Sequence, residues 1–165
     1  GTFGTVSGAN YSGQSNSTLQ IWSTDRSMNN YKYKVKVSGC LPDATSAAAL
    51  LTVNTAPELT LHPSDVSVCF GNNTFMAADA TGTSLTWQWY VNKGAGFVAV
   101  TDVANFSGSS TKTLTITNAQ GTFNNWIFRA KATGICEVPA VTNFGRLSVT
   151  TAPVVTLAAV PTTIS

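Results

Sequence analysis

Residues Tyr31 to Val37 read YKYKVKV, a strict alternation. Tyr31, Tyr33, Val35 and Val37 fall on one side, and Lys32, Lys34 and Lys36 on the other. A period of two belongs to a strand, and one apolar side opposite a charged side describes a half-buried strand of an antiparallel sheet. The stretch WIFRAKAT from Trp126 follows the same rule: Trp126, Phe128, Ala130 and Ala132 point one way, Arg129 and Lys131 the other. TLQI and TLTI add two more strands, with Leu19 and Ile21, and Leu114 and Ile116, toward a core. Composition agrees. Charged residues are 10% of the chain, well under the usual quarter or so, and Thr, Val, Ser, Asn and Gly dominate. Thr and Val favour strands, and Gly and Asn favour turns. The run Ala47–Leu51 is too short for a helix and lies between strand segments. The expected fold class is all-β.

The chain also repeats itself. NYSGQSNSTLQI from Asn10 returns as NFSGSSTKTLTI from Asn105, with seven of twelve positions identical at a spacing of 95. Gly39-Cys40 matches Gly134-Ile135-Cys136 with one residue inserted, and residues 50–61 match 146–157 at a spacing of 96. A period near 96 is far longer than a solenoid repeat and is the size of one β-sandwich domain. Thr-Ala-Pro at 55–57 and at 151–153 marks the joints, where proline suits the start of an edge strand. The expected division is the second half of a sandwich over 1–55, a complete one over 56–151, and the first strand of a third over 152–165. Within the complete unit, strands are expected near 58–62, 66–69, 74–80, 85–91, 97–101, 111–117, 126–133 and 143–150. No Gly/Ser linker separates the units, so a semi-rigid rod is expected.

Several functions find no support. A net charge of +2 gives no electrostatic footprint for nucleic acid. No run of 18 apolar residues offers a membrane-spanning helix, and no basic segment followed by an apolar one opens the sequence. No CxxC pair suggests zinc or redox chemistry. His62, the only histidine, has no partner at a triad or zinc spacing. Asp25, Asp43, Glu58, Asp65, Asp79, Asp102 and Glu137 are scattered, without a calcium loop or a carboxylate pair for glycoside hydrolysis. The expectation is a chain with no cofactor and no enzymatic activity. Trp87 and Trp89 share one strand side. A sandwich core accounts for them better than a sugar-stacking platform does. Trp126, Phe128, Tyr31 and Tyr33 join them as expected core aromatics. Lys32, Lys34 and Lys36 form a basic stripe, read as a solvated sheet side or a contact for anionic polysaccharide, and Tyr90 is a second surface-contact candidate. N-x-S/T sequons occur at Asn10, Asn16, Asn72 and Asn105.

WQWYVNKGAGF from Trp87, NFSGSSTKTLTI from Asn105, NNWIFRAKATGIC from Asn124 and SMNNYKYKVKVSGC from Ser27 together carry a resemblance. They resemble the immunoglobulin-like repeats found in tandem in very large surface proteins of Bacteroidota, including gliding-motility adhesins and other cargo of the type IX secretion route. The resemblance implies export, an extracellular cell-surface location, and a role in adhesion or filament structure. One departure stands out. Immunoglobulin domains usually carry a cysteine two residues after the aromatic of the late strand. Here Tyr33 and Phe128 hold those places, so aromatic packing replaces the central disulfide.

In that topology Cys69 and Cys136 lie at opposite ends, roughly 25–30 Å apart for strands of this length. A disulfide needs Cα atoms within about 7 Å. Pairing of Cys40, Cys69 and Cys136 between successive repeats is therefore favoured. An in-domain Cys69–Cys136 bond and free thiols stay open. The expected function is a structural repeat of a long extracellular adhesin or surface fibre, extending a binding tip or sticky surface from the cell. The alternatives are a subunit of a filament assembled by strand complementation between chains, and a carbohydrate-binding module of a secreted protein. Expected partners are neighbouring repeats of the same or identical chains, and surface glycans.

Overall fold

A computed structural model of the chain describes residues 2–136 and 138–153. The chain divides between Thr55 and Ala56 into two compact units. The first holds six short strands: β1 Tyr11–Ser12, β2 Gln20–Ile21, β3 Lys32–Tyr33, β4 Lys36–Val37, β5 Ala44–Thr45 and β6 Ala49–Leu50. They pair antiparallel as β1 with β2, β3 with β6 and β4 with β5. The alanine-rich run at 47–51 holds the strand β6 and no helix.

Among its described residues the second unit holds eleven strands: β7 Glu58–Leu61, β8 Val66–Cys69, β9 Thr74–Ala77, β10 Asp79–Thr81, β11 Thr86–Asn92, β12 Phe97–Ala99, β13 Phe106–Ser107, β14 Thr113–Ile116, β15 Ile127–Thr133, β16 Ala140–Val141 and β17 Gly145–Thr150. One sheet runs β12-β11-β15-β17-β8, with β16 also on β15. β17 and β8 pair in parallel; the other pairs are antiparallel. The opposing layer is β13-β14-β9, with β10 and β7 paired beside it.

Period two places the core between these layers. β11 contributes Trp87, Trp89 and Val91; β15 contributes Phe128, Ala130 and Ala132; and β17 contributes Leu147 and Val149. Met76 from β9 and Leu114 and Ile116 from β14 meet them from the other side. Trp89 is fully buried, and its indole N–H donates to the Thr111 carbonyl at 2.9 Å, so its one polar group is satisfied. Phe106, Phe123, Trp126 and Phe128 cluster, with Phe106 stacked on Trp126 and the Phe123 and Trp126 centroids 4.6 Å apart.

The expected strand 74–80 is two strands. β9 stays with β14, while β10 turns to β7 with a register shift between Asp79 and Ala80. The Asp79 carboxylate accepts the Ala80 N–H at 2.7 Å, a local bond that competes with the ladder and favours a bulge. β13 and β16 were not foreseen, because two residues are too few to show a period. The final strand, expected from 143, starts at Gly145, where a Cβ would collide with the Ser64 carbonyl oxygen. Of the first strand expected over 152–165, residues 154–165 lie outside the described residues.

Candidate functional site

The five aspartates and His62 serve local structure. The Asp102 carboxylate accepts the Ser109 N–H at 2.7 Å and the Gly108 N–H at 3.2 Å. The Ser109 hydroxyl and N–H hold it below the usual carboxylate range, with help from Gly108. Asp25 caps a short 3-10 turn over Arg26–Met28, held low by the Ser27 hydroxyl and N–H. Asp79 is held low by Lys112, 2.6 Å away, and by the Ala80 N–H. Asp65 accepts the Arg146 N–H at 2.8 Å, and Asp43 pairs with Lys36 at 2.6 Å. His62 Nδ1 accepts the Asn143 N–H at 3.1 Å. A general acid needs a carboxyl pushed up toward neutrality. Asp25, Asp79 and Asp102 are all pushed the other way. Among the described residues no cluster of three or more His, Cys, Asp or Glu could hold a metal ion. Glu137 lies outside the described residues.

Trp87, Trp89 and Phe128 are buried, and Trp126 packs on the core edge. Tyr31 and Tyr33 depart from expectation. Tyr31 is 46% exposed and Tyr33 half-buried; Val35 and Val37, on the same side, are 50% and 62% exposed. The reason is geometric: Tyr11 packs on Tyr33, but among the described residues of the first unit no further strand covers Tyr31, Val35 and Val37. The YKYKVKV run also pairs as two short strands rather than one continuous one.

The basic stripe is partly used internally. Lys34 Nζ lies 4.3 Å from the Phe3 ring centroid, and Lys36 pairs with Asp43. Tyr90 is half-buried in the middle of β11, in register between Ala99 and Arg129. It is no free-standing platform. The sequons at Asn10 and Asn105 are turn anchors. Asn10 Nδ2 donates to the carbonyls of Trp22 and Ser23, and Asn105 Nδ2 to those of Thr117 and Asn118.

All three cysteines are free thiols, so the alternative of an in-domain Cys69–Cys136 bond is not formed. Topology explains why Cys69 and Cys136 do not meet. Cys69 pairs with Thr150 beyond the start of β15, and Cys136 lies past the end of β15. β15 has seven residues, a span of about 20 Å between them.

The first unit contains the most distinctive surface. Residue by residue it reproduces part of the second unit. Val53 N–H donates to Asn29 Oδ1 at 3.0 Å, as Val149 N–H donates to Asn124 Oδ1 at 3.0 Å. Asn30 and Asn125 share a left-handed backbone, with φ of 69° and 66°. Gly13 and Gly108 do too, at 77° and 80°, and a Cβ at either would collide with the carbonyl oxygen of Thr18 or Thr113. The ring centroids of Tyr11 and Tyr33 lie 6.1 Å apart, the spacing of Phe106 and Phe128. The Tyr11 and Tyr33 hydroxyls meet at 3.1 Å, and burial with that bond pushes the Tyr33 phenol up to about 12.

Two features escaped the sequence reading. Phe75 projects outward from β9, 61% exposed, into an open hollow of about 360 Å³ shared with Asn73, Thr74, Thr113 and Thr115. Met76 beside it is apolar as well, so alternation did not show which of the two faces out. Arg129 stacks on Phe97, 4.0 Å from the ring centroid, a contact between strands that no local pattern displays.

No protein-family model matches the chain, and no curated protein matches it. Solved structures do. An I-band fragment of titin is similar with a TM-score of 0.59 at 13% identity, covering 88% of this chain and 50% of that one. The N-terminal eight immunoglobulin domains of Down Syndrome Cell Adhesion Molecule match at 0.57 and 19%, covering 80% of this chain and 17% of that one. Extracellular domains 3–5 of Drosophila OTK match at 0.54 and 17%, covering 87% and 47%. The fold is an immunoglobulin-like β-sandwich. This chain spans half or less of the length of each of those three structures. At such identities the immunoglobulin-like likeness extends to the fold alone.

Proposed function

We propose that this chain is a stretch of structural repeats in a large extracellular cell-surface protein, where the repeats hold an adhesive region away from the cell. The observation that carries the reading is internal repetition. The same asparagine-anchored turns and the same ladder recur at a spacing of 95 to 96 within one chain. Repeating a sandwich unit adds length and nearest-neighbour interfaces rather than a new active site. The low charge and the structural use of the carboxylates fit that role. The resemblance to Bacteroidota surface repeats supports the finer version: an adhesin-like cargo of the type IX route, partnered by neighbouring repeats of the same or identical chains. In that version Cys40, Cys69 and Cys136 bond between repeats. A non-reducing digest that returned a Cys69–Cys136 peptide from within one unit would contradict the pairing.

The test is surface labelling. An antibody raised against this chain is expected to label intact source cells, and removal of the repeats is expected to weaken attachment to surfaces. Labelling only after lysis would overturn the proposal. A glycan-contact role draws on Phe75, whose exposed ring shares an open hollow with Thr74, Thr113 and Thr115 and suits a sugar face. A glycan array on which binding disappears with Phe75→Ala supports it, and an array without binding rejects it.

A further inference from the structure

The strands of the larger sheet, β8, β11, β12, β15, β16 and β17, contain three cations and no Asp or Glu. Glu58 in β7 and Asp79 in β10 lie off this sheet. Alternation sends all three cations to one face. Trp89 and Ala130 pair in the core, so Tyr90 and Arg129 beside them point outward, as do Gln88 and Lys131. Arg146 pairs with Ile127 on the same outer face. Lys131, Arg129 and the Ile127–Arg146 pair therefore follow one another at equal steps of two residues, about 7 Å each. The row is not neutralised from within. The Arg129 guanidinium stacks on Phe97 at 4.0 Å from the ring centroid, and its buried Nε meets no acceptor. Among the described residues no carboxylate forms an ion pair with Arg129, Lys131 or Arg146. Asp65 accepts only the backbone N–H of Arg146, at 2.8 Å, and Arg146 Nη1 donates to Asn125 Oδ1 at 3.4 Å. The β17 end of the row is thus the more engaged one.

We propose that this outer face binds a polyuronate, a linear polysaccharide whose carboxylates are spaced by whole sugar rings. Arg129 is the anchor. The Phe97 ring holds its guanidinium in place before a ligand arrives, and the terminal nitrogens offer a carboxylate two parallel donors. A side chain already held loses less freedom on binding. Tyr90, half-buried and in register with Arg129, sets an aromatic ring with a hydroxyl beside that contact. Lys131 and Arg146 extend the row on either side, so successive carboxylates of one polymer find a cation each. The spacing selects this partner. A nucleic acid strand carries a phosphate about every 3.4 Å, twice as dense as the row. Heavily sulfated chains are denser in charge than one carboxylate per sugar, and a globular partner has no regular row of charges to match the step. The face belongs to the layer opposite Phe75 and does not rest on the surface-adhesin reading, so failure of cell labelling would leave the inference standing.

The test is an NMR titration of the whole chain with a short oligogalacturonate. Amides of residues 88–92, 127–131 and 146 are expected to shift together and saturate, with those of β9 and β14 unmoved. Affinity is expected to fall as salt is raised. Arg129→Gln is expected to weaken binding about tenfold, and Arg129→Lys by less, because the charge stays and the fork is lost. Lys131→Gln leaves the Arg129 stack intact and is expected to weaken binding about threefold, which keeps the test open should Arg129→Gln fail to fold. Lys112→Gln removes a cation that pairs with Asp79 on the opposite layer and is expected to leave affinity as it was. A lack of saturable shifts, shifts spread over β9 and β14, or undiminished affinity in Lys131→Gln and in a folded Arg129→Gln would each overturn the proposal. So would equal binding of a neutral maltooligosaccharide, or tighter binding of a sulfated oligosaccharide or of oligothymidylate.

Discussion

Thr142 is one of few buried polar side chains in the second unit, and its hydroxyl oxygen accepts the Ala130 N–H at 2.9 Å. That bond bridges the gap in pairing between β16 and β17. Replacing Thr142 by Val keeps the shape and strands a buried donor, which costs about 1–3 kcal/mol. Thr142→Ser keeps the bond and is expected to cost clearly less; denaturant unfolding followed by tryptophan fluorescence distinguishes the two. Asp102 makes a second prediction, with a definite sign. Its folded-state carboxyl lies below the usual carboxylate range, held there by Ser109 and Gly108. The associated stability is complete above the unfolded value and is lost as pH falls through the folded one. The melting temperature of the chain is therefore expected to fall below about pH 4, and to fall less steeply in Asp102→Asn. Residues of this kind were poorly legible in the sequence. Trp87, Trp89 and Phe128 announced themselves by alternation, but nothing local marks Thr142 as a backbone acceptor or Asp102 as a loop anchor. Both depend on segments brought together only by folding.

At the scale of elements, the long alternating strands were legible and the short ones were not. β11 and β15 display a period over seven residues each, and their boundaries fall within a residue or two of expectation. β13 and β16 show none, and β9 and β10 read as one strand because the bulge at Asp79 arises from a side-chain bond. Tyr31, Val35 and Val37 alternate as a core strand should, yet lie exposed, because a pattern records which side is apolar and not whether anything covers it. Glycines at turns give a sharper test. Gly108 has a φ of 80°, and a Cβ there would collide with the Thr113 carbonyl oxygen. Gly108→Ala is expected to destabilise the β13–β14 turn by more than about 1 kcal/mol. Gly121 has ordinary backbone geometry and open space at its Cβ position, so Gly121→Ala is expected to stay within about 0.5 kcal/mol of the parent. A comparison of the two unfolding midpoints checks both.

At the scale of the whole molecule, the repeat seen in the sequence is also a repeat of turns, caps and side-chain spacings. One unit has its core covered, and the other leaves the matching apolar side open. Exchange kinetics should separate them, because protection follows burial and ladder pairing. Residue-resolved amide hydrogen exchange on the chain alone is the most direct measurement. Amides of β14 and β15 are expected to exchange at least about a hundredfold more slowly than their counterparts over 18–21 and 32–38. Equal protection at Val35 and Ala130, and at Ile21 and Ile116, would mean that the first unit already possesses a covered core, and would contradict the account.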